Sequence, residues 1–142
     1  MRLFDAILDA NHRAVAGDST AGVHVADFPV GTGQGTQGVL PRCVAALVEQ
    51  LPVEEVWVFG SCARGEATDE SDLDLLVVLA DGHGLARPNL ASFQSAAKVR
   101  HRPPLDVIAI TQSQWAYEQA HPFGLYGEIA QSGVKIYARQ SA

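Results

Sequence analysis

Asp72 and Asp74 open the longest apolar strand pattern of this sequence, residues 72–80. Side chains alternate faces along a strand, so the two carboxylates point the same way, about 6 to 7 Å apart at the backbone. Paired carboxylates on a rigid strand can hold one or two divalent cations, and magnesium is usually bound by one or two carboxylates together with substrate phosphates. The spacing therefore predicts metal-assisted chemistry at a phosphate.

Asp106 is the candidate for a third carboxylate. It is the one acid of the apolar segment "PLDVIAIT", residues 104–111. A carboxylate buried in such a strand without a cation or hydrogen bonds would be costly, which favours a place beside the first pair. The alternative is a structural acid that pairs with Arg100 or Arg102.

Gly60 follows the strand pattern "VWVF", and Ser61 begins the segment "SCARGEA", which predicts a short helix. The start of a helix offers free backbone N–H groups that bind phosphate. Glycine lets the backbone approach a ligand closely, and the serine hydroxyl can donate to a phosphate oxygen or simply cap the helix. These residues predict a phosphate-binding turn ahead of the carboxylates.

Arg64 has two interpretations that the sequence leaves open. It can reach a phosphate, or it can brace the loop by pairing with Glu66 or Asp69. The basic run "KVRHR", residues 98–102, is similarly open, because it can contact a nucleotide or a partner or can end a helix. Cys62 is interpreted as a small packing residue.

Gly60-Ser61, ten further residues and Asp72-Leu73-Asp74 together resemble the G-S-x(10)-D-x-D signature of the DNA polymerase β-like nucleotidyltransferases. The longer stretch "GSCARGEATDESDLDLLVV" is especially similar to the minimal nucleotidyltransferase (MNT) family, and the resemblance covers residues 39–138. It implies that Asp72 and Asp74 bind Mg²⁺, with two ions expected. It also implies that Asp106 completes the metal site and helps to activate the attacking hydroxyl. Gly60 and Ser61 would hold the nucleotide triphosphate, with Arg64 as a further nucleotide-binding candidate.

The resemblance also implies a function and a partner. Members of the family of this size often act as antitoxins, transferring AMP from ATP to a tyrosine of a HEPN-domain ribonuclease toxin. A net charge of -6 suits docking on a basic, RNA-cleaving partner. One alternative is a non-catalytic antitoxin that binds nucleotide and neutralises the toxin by complex formation. Another is an adenylyltransferase of a small molecule such as an aminoglycoside, but such enzymes usually carry a further helical domain, and here residues 112–142 alone follow the third predicted strand.

The elements that must position these residues alternate between helix and strand. The predicted order begins with a helix from Pro41 to Leu51 that Pro52 ends. It continues with strand 54–60, the short helix, strand 72–80, helix 91–101, strand 104–111, a helix from about Gln114 capped by Ser113, and a final helix that Gly133 ends. This alternation predicts an α/β (α+β sandwich) domain around a mixed sheet, and the resemblance implies the polymerase β-like nucleotidyltransferase fold.

Residues 1–38 are predicted to form an N-terminal extension to the domain of residues 39–142. The extension would comprise a helix over residues 3–15, a possible short strand over 23–30 and a glycine-rich segment, residues 31–38. Gly33, Gly35 and Gly38 match the dinucleotide-binding pattern G-x-G-x-x-G, but the acidic residue expected about 20 positions later is missing. A flexible linker is the favoured interpretation over a phosphate loop.

The composition limits the classes of function. With 142 residues and 47% hydrophobic residues, one domain with a full core is expected. The acidic net charge argues against direct nucleic-acid binding by broad phosphate neutralisation. Two cysteines make neither a disulfide framework nor a zinc site, so a cytoplasmic protein is expected. No segment has the roughly 18 to 20 apolar residues of a membrane span, so no membrane partner is expected.

Overall fold

A computed structural model describes residues 34–66, 71–100 and 102–140. The expected helix over residues 3–15 and strand over residues 23–30 lie outside these ranges. The described elements are α1 (Gln34–Gln50), β1 (Val53–Phe59), β2 (Leu73–Leu79), α2 (Pro88–Ala97), β3 (Leu105–Thr111), α3 (Gln112–Ala120), α4 (Gly124–Ser132) and β4 (Val134–Ala138).

The four described strands form one mixed sheet in the order β3-β2-β1-β4. β1 pairs antiparallel with both β2 and β4, whereas β2 and β3 run parallel. A parallel pair needs a crossover connection, and α2 supplies it. The predicted α/β (α+β sandwich) architecture with a mixed sheet is confirmed.

Helices cover both faces of the sheet because successive strand side chains point to opposite sides. On one face, Leu73, Leu75 and Val77 of β2 pack in a buried core with residues of α1 and α2. On the other face, Leu76 and Val78 pack in a second core with Trp115 of α3 and Ile129 of α4. Asp74 shares this second face, two positions before Leu76.

α1 begins earlier than predicted, at Gln34 rather than Pro41. Pro41 lies inside the helix, where it lacks an N–H group to donate to the preceding turn. Five residues of the glycine-rich segment are therefore helical, and the expectation of a linker is wrong for residues 34–38. The division of the chain into domains at residue 38 stays a prediction.

Three other local predictions are corrected. The short helix after β1 is instead a series of turns over residues 60–65. α2 ends at Ala97, with Lys98 as its C-cap, so Arg100 lies beyond the last turn, and His101 is outside the described residues. Thr111 rather than Ser113 caps α3, since its hydroxyl oxygen accepts from the backbone N–H of Gln114 at 3.2 Å.

The end of the chain adds a strand that the sequence analysis did not assign. Gly133 ends α4, as predicted, and β4 follows at once along the free side of β1. None of the helices in the described ranges has the length and apolar character needed to cross a membrane.

Candidate active site

Asp74 and Asp106 lie directly opposite each other on adjacent parallel strands. Neighbouring strands are about 4.8 Å apart, so the two carboxylates project from neighbouring backbone positions of one sheet. Asp106 stands two positions before Ile108, which packs against the second core, so it shares the face of Asp74. The pairing that the carboxylate hypothesis requires is therefore present.

Asp72 lies just before β2, two residues from Asp74, and is exposed. Asp106 is exposed as well, so the expected cost of burying an uncompensated carboxylate does not arise there. Arg102 donates to the carbonyl oxygens of Ala97 and Pro103, at 3.4 and 3.3 Å. Within the described ranges, no ion pair joins Asp106 to Arg100 or Arg102.

Gly60 connects the two halves of the sequence motif. It follows Phe59, which is the β1 residue opposite Asp74 in the antiparallel register. Its φ is +71°, a conformation that side chains disfavour, and a Cβ there would collide with Asp74 Oδ2 and stand 3.2 Å from Asp74 Cγ. Glycine is required because the carboxylate occupies the space of a side chain, which the sequence analysis did not foresee.

Asp74 is the aspartate of the site whose ionisation is disfavoured. The pKa of Asp74 is raised to about 6, first by partial burial and then by the negative charges of Asp106 and Asp72, while Arg64 acts to lower it. Like charges close together disfavour ionisation. Asp72 and Asp106, which the sequence analysis singled out with Asp74, are therefore close enough to act on it.

The turns at residues 60–65 are hydrogen-bonded internally. The N–H of Arg64 donates to the Gly60 carbonyl at 3.2 Å, and the N–H of Glu66 donates to the Ser61 carbonyl at 3.0 Å. The buried Cys62 thiol donates to the Asp72 carbonyl at 3.5 Å. Cys62 is thus the packing residue that was predicted, and it links the turns to the segment that carries the carboxylates.

Arg64 extends from these turns to two acids. Its Nε donates to Glu66 Oε2 at 3.2 Å, and its Nη1 lies 3.8 Å from Glu128 Oε1 on α4. Exposed ion pairs contribute about 0 to 1 kcal/mol, so both are easily exchanged for another anion. The bracing interpretation describes the structure as it stands, and nucleotide binding by Arg64 stays a prediction. Glu128 is a neighbour of the site that no local sequence signal marks.

Carboxylate side chains are of the type that binds a divalent cation, but in the described residues they are not arranged as a metal site. Carboxylate oxygens are the ligands that magnesium prefers, and the negative charges of Asp106 and Asp72 act on Asp74 in addition to its burial. In residues 34–66, 71–100 and 102–140, however, no three His, Cys, Asp or Glu side chains are arranged as a metal-binding group. The metal role of Asp72, Asp74 and Asp106 stays a prediction.

Comparison with known proteins identifies a nucleotidyltransferase domain in the part of the chain that carries the motif. Residues 40–124 match the family described as nucleotidyltransferase domain, which is more than half of the chain. A crystal structure of a protein assigned to the nucleotidyltransferases, from Sulfolobus solfataricus, is similar at 24% identity and a TM-score of 0.45, covering 69% of this chain and 76% of that one. No curated protein matches the sequence.

Proposed function

Because the chain belongs to the nucleotidyltransferase domain family, we propose that it transfers AMP from ATP to a tyrosine hydroxyl of a HEPN-type toxin and acts as that toxin's antitoxin. Nucleotidyl transfer is the activity that the family supports. ATP, the tyrosine acceptor and the toxin come from the resemblance to the minimal nucleotidyltransferases. A cytoplasmic location is part of the proposal.

The observation that carries the proposal is the register of Asp74 with Asp106 beside Gly60. This arrangement puts two carboxylates next to the turns of residues 60–65, where the absence of a side chain at Gly60 makes room for the Asp74 carboxylate. A protein that neutralised its partner by contact alone would have no need of Asp106 and Asp72 beside Asp74, whose pKa they raise. Nucleotidyl transfer would explain why Asp72, Asp74 and Asp106 are held close together.

In the proposed reaction, the acceptor's hydroxyl oxygen bonds to the α-phosphorus as the bond from that phosphorus to the pyrophosphate oxygen breaks. Asp106 accepts the hydroxyl proton, and pyrophosphate leaves with its electron pair. Gly60 and Ser61 orient the triphosphate, and Arg64 exchanges its weak contacts with Glu66 and Glu128 for a phosphate oxygen. Positioning supplies most of the acceleration.

Asp72, Asp74 and Asp106 would hold Mg²⁺. When bound, the ion supplies positive charge that offsets the carboxylates and the phosphates.

The test is transfer of label from α-labelled ATP to the candidate toxin in the presence of Mg²⁺. The parent protein should label the toxin, and the Asp72→Asn, Asp74→Asn double variant should not. Glu49→Gln removes an exposed acid from α1 and should label as the parent does. Replacement of the acceptor tyrosine by phenylalanine should abolish labelling. Complex formation without labelling by any protein would favour the non-catalytic antitoxin.

A further inference from the structure

The positive charge of this acidic chain is concentrated in one layer. Residues 82–105, which include α2, contain four Lys or Arg and no Asp or Glu. Together with α1 they carry five Lys or Arg and one acid, a net charge of +4. The whole chain has a net charge of -6, so the remaining residues carry -10. The average charge therefore conceals a basic layer on one face of the sheet.

Within this layer, α2 presents an outward face that is basic at its ends and apolar in its middle. Leu90 is three positions after Arg87, and Lys98 is eleven positions after it. These spacings bring the three side chains toward one side of a helix, and Arg87 and Lys98 are exposed. Leu90 is 44% exposed and Phe93 is 37% exposed. We call Arg87, Leu90, Phe93 and Lys98 the α2 face.

The two cations of the α2 face stand at fixed ends of the helix. Arg87 is the N-cap residue and Lys98 is the C-cap residue. At a rise of 1.5 Å per residue, their backbones are about 16 Å apart. Lys98 Nζ also donates to Gln50 Oε1 of α1 at 3.1 Å, which holds the amine beside the end of α1.

The neighbouring edge of the sheet offers less to a partner. β3 is an outer strand of the described sheet, but the N–H of Ala109 donates to Asn89 Oδ1 of α2 at 2.7 Å. A side chain that occupies an edge N–H blocks the addition of another strand at that position. A partner that approaches this side therefore meets the α2 face rather than an open strand edge.

We propose that the α2 face docks an acidic amphipathic helix of a protein partner. Such a helix would carry acids about three turns apart, opposite Arg87 and Lys98, with apolar residues between them against Leu90 and Phe93. A nucleic acid fits less well, because its phosphates form a continuous charged line and two exposed apolar side chains separate the cations. The partner would thus be acidic where it touches this chain, whatever its overall charge.

The α2 face also leads to the carboxylates. Residues 98–104 connect α2 to β3, and the Pro104 carbonyl accepts from the N–H of Leu73 at 2.8 Å, between Asp72 and Asp74. A helix bound along α2 would end near this connection. That the docked partner is also the acceptor rests on the proposed function, whereas docking itself does not.

The experiment measures binding of a labelled synthetic peptide to the full chain by fluorescence anisotropy, without ATP or Mg²⁺. The peptide is an 18-residue helix with glutamates eleven positions apart and leucines between them on one face. The parent should bind it, and Arg87→Glu with Lys98→Glu should weaken binding at least tenfold. Arg139→Glu makes the same kind of charge change at a side chain that is 62% exposed on another part of the chain and should bind within twofold of the parent.

Further variants separate the contributions. Leu90→Ser should weaken binding by about three- to tenfold, since it removes apolar contact without changing charge. A peptide with lysines in place of the glutamates should not bind the parent. The Asp72→Asn, Asp74→Asn variant should bind as the parent does, so failure of nucleotidyl transfer and failure of docking are told apart.

Several results would overturn the proposal. One is equal binding by the parent and the Arg87→Glu, Lys98→Glu variant, or no binding by either. Another is preferential binding of a single-stranded RNA oligonucleotide at the same residues. If sedimentation detects a dimer of the parent, and the charge reversal dissociates it, the face belongs to an interface with a second copy of the chain instead.

Denaturation of the Arg87→Glu, Lys98→Glu variant is the control for folding. A denaturation curve equal to that of the parent shows that the fold of the variant is intact.

Discussion

At Gly60, backbone conformation and side-chain space both require glycine. Gly60→Ala should therefore lower the free energy of unfolding and displace the Asp74 carboxylate, with a loss of nucleotidyl transfer of at least tenfold. The positive φ alone costs a side chain about 1 to 2 kcal/mol. The collision with Asp74 adds to that cost. Urea denaturation and transfer assays measure the two effects.

Gly82 supplies the matched control. Its φ is +73°, but a Cβ there would meet nothing within 4 Å. Gly82→Ala should lose the backbone cost alone and keep its activity. Equal losses of stability and of activity in the two variants would contradict the idea that Gly60 makes room for Asp74.

The raised pKa of Asp74 predicts a pH dependence of stability. The folded protein binds a proton there at a pKa of about 6, whereas the ordinary pKa of an aspartate is 3.8. The folded state therefore binds the proton more tightly, so its stability should rise as the pH falls through 6 and stop rising below the unfolded pKa. Above pH 6 the ionised group is unfavourable.

Denaturation between pH 7 and pH 4 in EDTA tests this dependence. Asp74→Asn should be more stable than the parent at pH 7, and the difference should shrink toward pH 4. Addition of Mg²⁺ at pH 7 should stabilise the parent and have less effect on the variant. A parent that loses stability as the pH falls from 7 to 5, relative to the variant, would contradict the sign.

At the scale of an element, the start of α3 depends on Thr111. Its hydroxyl accepts from the N–H of Gln114, and capping residues contribute about 1 kcal/mol. Thr111→Ala should lower the free energy of unfolding by about that amount, and Thr111→Ser should restore most of it. Thermal denaturation followed by circular dichroism measures the loss. An alanine variant as stable as the serine variant would show that the cap is unimportant.

The sequence predicts the elements best where apolar periodicity is strong. β1, β2 and β3 were found within one or two residues because their apolar runs are bounded by glycine, proline or acids. The start of α1 was missed because glycines and Pro41 are poor helix formers, and packing of Val39 and Leu40 outweighs them. β4 is only five residues long and is stabilised by its pairing with β1, which no local pattern reveals.

The sequence names the residues of the candidate site and predicts that Asp106 lies beside the first pair of carboxylates, but it does not predict the register between the strands. The spacing of Asp72 and Asp74 follows from strand alternation alone. Asp106 lies opposite Asp74 because β2 and β3 pair in parallel. The two aspartates are more than thirty positions apart in the chain. That pairing joins distant parts of the chain, so local sequence signals cannot establish it.

At the scale of the whole molecule, one sheet contributes to two cores, so we expect the two layers to unfold together. Leu75 and Leu76 are adjacent on β2 and fully buried, but they face opposite cores. Both tryptophans, Trp57 and Trp115, lie in the core of Leu76. Fluorescence therefore reports on one core, whereas far-ultraviolet circular dichroism reports on the entire chain.

Leu75→Ala should consequently lower the free energy of unfolding by about 2 to 5 kcal/mol and shift both signals together. The tryptophans do not share a core with Leu75, so their response would be transmitted through the sheet. Leu76→Ala is the matched variant, with the same deletion on the other face. If Leu75→Ala shifted the midpoint measured by dichroism but not the midpoint measured by fluorescence, the two layers would unfold separately. The carboxylates on the strand that both layers share would then lack the rigid support that the proposed transfer needs.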